Sequence, residues 1–192
     1  MALWGKSDAD ESKPKWLTTA QKKEVFANDS GWVVEGGSAM TGNGNTNAAP
    51  EILACVGGLT TLIGAGDVTD VEWITTTADR SDGFTMSIRV RYNEAVTVTG
   101  SPTLVVTNDT NANHTLVYAS GSTTNELVFS LAIAAGGGGV VTADDVLTVG
   151  AQNILKPGGA TMKDTGGDGT TDSAVAISAD QGTACGSITV VA

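Results

Sequence analysis

The sequence predicts an all-β protein built as a two-layer antiparallel β-sandwich. In residues 84–92, every second side chain is large and apolar, and small polar residues and two arginines stand between them. Successive side chains of a strand point to opposite faces, so this strand has one buried face and one wet face. Residues 127–133 repeat the pattern. Charged residues make up only 16% of the chain and Gly, Thr and Val are frequent, which favours strands over helices.

Turn signals separate the remaining candidate strands at intervals of roughly 8–12 residues, the spacing typical of a sandwich or barrel. The candidate strands cover residues 70–76, 84–92, 94–98, 103–107, 114–120, 124–133, 145–149, 153–155, 160–163, 173–177 and 186–191. The inward side chains of two of these strands form the predicted core, namely Phe84, Ile88, Val90, Leu127, Phe129 and Leu131. Arg89 and Arg91 are predicted to point outward, where substitution costs little unless they meet a partner.

The chain divides into three predicted segments. These are an extended N-terminal anchoring arm and linker (1–50), a connecting β segment (51–68) and the sandwich (69–192). Within the arm, Thr18 followed by Gln21 fits a capping box, which predicts a short helix. Residues 28–31 give a turn signal, and residues 32–34 are predicted to be a short strand or an extended anchor.

The net charge of −11 excludes nucleic acid as a partner, because binding phosphates needs a basic face. Residues 1–35 hold five lysines and six acids, whereas residues 36–192 carry nearly all of the excess negative charge. The chain has no apolar run of membrane-spanning length, and its start has no apolar stretch of the kind found in secretion signals. Cys55 and Cys185 are either two free thiols or a single bridge.

Aromatic residues in the nearly neutral arm are the predicted partner-binding residues: Trp4, Trp16, Trp32 and Phe26. Aromatic side chains bring large contact area at low entropic cost and are enriched at interface hot spots. The alternative is that they pack back on their own sandwich.

The sequence offers no catalytic constellation, so we expect a protein that is not an enzyme and needs no cofactor. The sequence contains no nucleophile motif that the single histidine, His114, could activate. His114 is predicted to be exposed at a strand edge. Asp164, Asp168 and Asp172 lie on a glycine-rich segment and are candidate Ca²⁺ ligands. The alternative is a plain turn, which the sequence favours because Gly166 and Val175 stand where a loop-type site needs oxygen ligands.

Three parts of the predicted sandwich resemble bacterial Ig-like domains. Residues 88–104 resemble the family's strand that ends in an aromatic-Asn-Glu-x-Val element and continues through a Gly-x-Pro-x-Leu turn. Residues 116–129 are similar to its Tyr-x-Ser-Gly hairpin, and residues 146–147 and 154–164 continue the likeness. The resemblance implies an Ig-like antiparallel β-sandwich preceded by an extended arm containing a short helix.

The N-terminal segments 1–6, 13–17 and 22–27 resemble virion structural proteins of tailed phages, in particular the T4-like phages that infect marine cyanobacteria. The resemblance implies a capsid decoration or cement protein, located in the virion and assembled in the bacterial cytoplasm. Its partners would be the major capsid protein or a neck or tail protein, bound in multiple symmetric copies without nucleic acid or membrane. The alternatives are a neck or tail accessory protein, or an Ig-like adhesion module that binds carbohydrate on a host surface.

Overall fold

The computed structural model describes residues 13–165 and 169–192 of the chain. Trp4 and Asp168 therefore lie outside the described residues. The strands are β1 (Val25–Asn28), β2 (Gly31–Val34), β3 (Glu51–Cys55), β4 (Val68–Trp73), β5 (Ala78–Asp79), β6 (Phe84–Thr99), β7 (Thr103–Asn108), β8 (His114–Ser120), β9 (Thr124–Ile133), β10 (Val146–Thr148), β11 (Gln152–Asn153), β12 (Thr161–Asp164), β13 (Ala176–Ile177) and β14 (Ser187–Val191). The helices are α1 (Thr19–Lys23), α2 (Leu59–Ile63) and α3 (Ala179–Cys185).

The all-β prediction is confirmed, because most of these strands join one large mixed sheet. The order of its main path is β3-β2-β1-β6-β9-β8-β7-β10-β14-β5, and β4 and β12 pair with β6 beside that path. The finer assignment to an Ig-like sandwich stays a prediction. No helix within residues 13–165 and 169–192 is long and apolar enough to cross a membrane.

β6 is the central strand of the body, by which we mean residues 66–165 and 169–192. Its first half pairs with β9 and β4, and its second half pairs with β12. The register with β9 shifts between Arg91 and Val96, so the strand bulges there. Ile88, Val90, Leu127 and Phe129 of the predicted core are completely buried, while Phe84 and Leu131 are partly buried against the same cluster.

The segment predicted as an extended arm is a small folded part of the protein, which we call the N-terminal unit (residues 13–63). Its helix α1 begins with the predicted capping box, in which the Thr18 hydroxyl accepts from the Gln21 N–H. β1 and β2 form a hairpin across the predicted turn, and β3 adds to β2. A second apolar cluster fills this unit, comprising Leu17, Val25, Ala27, Trp32, Val34, Leu59 and Ile63. Residues 51–63, predicted as a connection, thus pack with the residues before them.

The two parts meet where β1 runs parallel to β6 and pairs Ala27 with Glu94. This pairing lies at the bulge of β6, where residues 90–94 are buried without a break instead of alternating. The unbroken burial arises because the N-terminal unit covers the face of β6 that would otherwise meet water. The junction is therefore the place where the chain departs most from a simple half-exposed sheet.

Candidate binding site

Arg91 lies buried at this junction, so the prediction that it points into water is wrong. Its side chain is 8% exposed and its Nε donates to Glu126 Oε1 at 2.7 Å. Its Nη2 lies 3.2 Å from Glu35 Oε1, and its Nη1 lies 3.4 Å from Glu72 Oε1. The predicted register of β6 is right, since Arg91 points away from the core of the body. The N-terminal unit covers that outer face, which no pattern within β6 could reveal.

Further charges surround Arg91. Lys23, at the end of α1, pairs with Asp70 of β4 at 2.8 Å. Arg89 pairs with Glu72 at 2.9 Å and lies 3.4 Å from Glu126. Its side chain remains 30% exposed, so the outward prediction for Arg89 holds in part.

Glu35, directly after β2, is the acid that this cluster perturbs most. Its pKa is raised to about 7, mainly by burial and then by the neighbouring charges of Glu126 and Glu24, against the opposing effect of Arg91. Glu24 accepts a hydrogen bond from the Ser38 hydroxyl at 2.5 Å. Glu35 therefore exchanges its proton near neutral pH, while an unperturbed glutamate is ionised there.

A cleft of about 730 Å³ opens beside this cluster, between the N-terminal unit and the body. Glu24, Glu35, Arg89 and Glu126 supply its charged lining. Small and apolar residues complete the walls, among them Phe26, Ala48, Pro50 and Ala95. The volume lies within the range of roughly 300–1,000 Å³ that small-ligand sites occupy. This cleft is the candidate binding site of the protein.

Burial contradicts two of the four aromatic anchors predicted from the sequence. Trp32 is fully buried in the apolar cluster of the N-terminal unit, and Phe26 is 8% exposed. Trp32 is a core residue because it faces this cluster together with Val25 and Ala27. Phe26 alternates with those two residues along β1, so it points to the other side of the hairpin, where it lines the cleft. Trp16 is 61% exposed, as a partner-binding residue would have to be.

The two candidate ligands that lie within the described residues, Asp164 and Asp172, have other contacts. The Asp164 N–H donates to the Thr171 carbonyl, and Asp164 is 2% exposed. Asp172 accepts a hydrogen bond from Lys163 at 2.8 Å and lies 3.8 Å from Lys156. These two lysines lower the pKa of Asp172 and balance its charge. No group of three or more His, Cys, Asp or Glu side chains in the described part of the chain is arranged to hold a metal ion.

His114 is buried, so the prediction of an exposed strand-edge residue is wrong. Its Nε2 lies 3.3 Å from Asn108 Nδ2, and burial lowers its pKa. Asn108 also donates to Asp145 at 2.8 Å. Asp145 is 1% exposed and accepts further hydrogen bonds from Thr110, Asn111 and Thr142. The carboxylate thus pins the turn after β7 to the strand β10, a structural role.

The motifs that carry the Ig-like resemblance also make structural contacts. The Tyr92 hydroxyl donates to the Ala174 carbonyl at 3.0 Å, and the Asn93 side chain accepts from the Asp67 N–H at 2.7 Å. Tyr118 accepts from the Ser122 N–H at 2.6 Å. At Gly121 a side chain would collide with the Glu126 carbonyl, which explains the glycine of this hairpin. These contacts stabilise strand ends and turns.

Cys55 and Cys185 are both free, Cys55 being exposed and Cys185 partly buried. Comparison with known proteins identifies no relative: no family model, no curated protein and no solved structure matches this chain. The site described above is therefore characterised by its own geometry. Sequence reasoning missed it because Glu24, Glu35 and Glu126 are far apart in the chain and only the packing of the N-terminal unit brings them together. The excess of acidic over basic residues was the one feature of the sequence that pointed to such a site.

Proposed function

We propose that the protein is a structural component of a tailed-phage particle, acting as a capsid decoration protein. In this proposal the N-terminal unit docks on a neighbouring virion protein, and the body stands outward. Many symmetric copies would bind with summed avidity even where each contact is weak. A neck or tail location is the alternative for the same docking surface.

The observation that carries this proposal is the set of exposed apolar side chains in the N-terminal unit. Trp16, Ile52 and Leu62 are 61%, 56% and 53% exposed. Ile52 belongs to β3, which ends the main path of the sheet and pairs on one side with β2. An edge strand with exposed apolar side chains is a surface to which a partner strand can add. The likeness of the N-terminal segments to phage virion proteins supports the same surface.

Two charge substitutions at equally exposed leucines test this proposal. Leu62 of the N-terminal unit and Leu155 of the body are each 53% exposed. We expect Leu62→Glu to reduce incorporation into particles by more than about tenfold, because tenfold corresponds to only 1.4 kcal/mol and a buried charge costs more. Leu155→Glu should be incorporated normally.

The measurement is the amount of each variant in purified particles assembled without the wild-type protein. Normal incorporation of Leu62→Glu would contradict docking through the N-terminal unit. The copy number of the wild-type protein in the same particles separates the two locations, since a shell lattice holds far more copies than a neck or tail ring.

A further inference from the structure

The loop between β2 and β3 presents an asparagine that is followed directly by a glycine. Residues 35–50 form this loop, and Asn43 and Gly44 are both exposed within it. No other asparagine of the chain precedes a glycine. Beyond its chain neighbours, no atom of the described residues lies within 4 Å of the position that a Cβ of Gly44 would occupy. The peptide that joins these two residues is therefore open to solvent.

Two consecutive side-chain turns shape this loop. Asn43 Oδ1 accepts from the Asn45 N–H at 3.1 Å, and Asn45 Oδ1 accepts from the Asn47 N–H at 3.0 Å. Turns of this kind fold the side chain of an asparagine back over the peptide that follows it. In both Asn43 and Asn45 the side-chain amide carbon, Cγ, therefore lies beside the nitrogen of the next residue.

The residue that follows each asparagine distinguishes these two positions. Gly44 has no side chain and adopts backbone conformations closed to other residues, whereas Thr46 is branched at Cβ and stiff. A side chain on the following residue hinders the attack of its own nitrogen on the asparagine Cγ. Asn43 and Asn45 thus share exposure and local turn geometry, and only Asn43 is followed by an unhindered nitrogen.

We propose that Asn43 is a site of spontaneous deamidation, with water as the co-reactant. The Gly44 nitrogen gives its proton to hydroxide and attacks Cγ of Asn43, and the side-chain nitrogen takes a proton from water and leaves as ammonia. The product is a five-membered succinimide ring, which water then opens at one of its two carbonyl carbons. Opening at Cγ yields aspartate, and opening at the backbone carbon yields isoaspartate. Either product carries one more negative charge than the parent chain.

The isoaspartate product changes the path of the loop. One extra carbon enters the main chain between residues 43 and 44, and the oxygen that accepted from the Asn45 N–H becomes a main-chain carbonyl oxygen. The loop leads into β3, whose Ile52 is among the side chains proposed to dock, so the shape of the N-terminal unit changes with the age of the protein. The deamidation itself does not depend on that docking role.

The test is incubation of the full-length protein at pH 8 in water enriched in oxygen-18, followed by peptide mapping with mass spectrometry. We expect residue 43 to take up a single oxygen-18 atom at least about tenfold faster than residue 45, which corresponds to a barrier lower by about 1.4 kcal/mol. Hydroxylamine should cleave the incubated chain after residue 43, because it attacks the succinimide.

Gly44→Ala is the matched variant, since Gly44 has no positive φ and the space for a Cβ is open. It should slow the conversion of Asn43 by about tenfold or more and leave the slow conversion of Asn45 unchanged. Because the loop is exposed, Asn43 should convert in native buffer within about tenfold of its rate in concentrated urea. Equal rates at Asn43 and Asn45, or an unchanged Asn43 rate in Gly44→Ala, would overturn the proposal. Protection of Asn43 beyond tenfold in the native protein would overturn it as well.

Discussion

Replacing Arg91 by methionine tests whether the junction is held by charge. The substitution keeps a long apolar stem and removes the guanidinium that contacts Glu126 at 2.7 Å, Glu35 at 3.2 Å and Glu72 at 3.4 Å. Because the Arg91 side chain is 8% exposed, three carboxylates then face each other with little water to screen them. Removing one partner of a buried ion pair costs about 3–5 kcal/mol, which is the expected loss in the free energy of unfolding at pH 8.

The cost should depend on pH. Near pH 5 Glu35 holds its proton, since its pKa is raised to about 7, and one of the repelling charges is absent. We therefore expect a smaller loss at pH 5 than at pH 8. Lys163→Met is the matched control, because its partner Asp172 is 58% exposed and such pairs contribute up to about 1 kcal/mol.

The assay is urea unfolding of wild type and both variants at the two pH values, followed by circular dichroism. A loss for Arg91→Met below about 1 kcal/mol at pH 8 would refute the reasoning, because it would place the pair among surface ion pairs. An equal loss at both pH values would refute the part assigned to Glu35.

Three further predictions concern single side chains. The raised pKa of Glu35 favours its protonated form in the folded state, so wild-type stability should fall as pH rises from about 4.5 to about 7, by up to roughly 3 kcal/mol. Glu35→Gln should flatten that interval of a curve of unfolding free energy against pH. An unchanged curve would exclude Glu35 as the source of the pH dependence. Hydrogen bonds from Thr110 and Thr142 lower the pKa of Asp145 against the effect of burial, so its contribution is present above pH 4 and is lost on further acidification. Asp145→Ala should cost about 3 kcal/mol or more at pH 7 by the same urea assay, since several charge-assisted hydrogen bonds disappear, and a loss under 1 kcal/mol would contradict the pinning role. Phe129→Ala, at a fully buried site in edge contact with Tyr118, should lower the unfolding free energy by about 3–5 kcal/mol, and a near-neutral effect would mean that the core is misplaced.

Strands with a regular apolar face were predictable from the sequence. Residues 114–120 and 124–133 coincide with β8 and β9, because large apolar residues recur at every second position and turn residues mark both ends. The strands predicted at 84–92 and 94–98 are one strand, β6, which continues through its bulge. The capping box at Thr18 was also readable, since its signal is local.

Elements that depend on distant packing were not predictable in the same way. The helix α3 was predicted neither by length nor by periodicity, although Ser178 and Gln181 form a capping box at its start. The segment 51–63 was predicted as β and proved to be β3 followed by α2. The candidate site was missed altogether, because burial of Arg91 and Glu35 results from two parts of the chain meeting across β6.

The ionic character of the junction has a consequence for the order in which the chain folds. The body and the N-terminal unit each enclose an apolar cluster of their own, and the face between them is lined with charged groups. A charged face stays hydrated and does not attract other chains while it is uncovered. The body can therefore bury its apolar core before the N-terminal unit covers this face, without exposing a surface that aggregates. When the N-terminal unit covers this face, Arg91 and its carboxylates exchange water for one another.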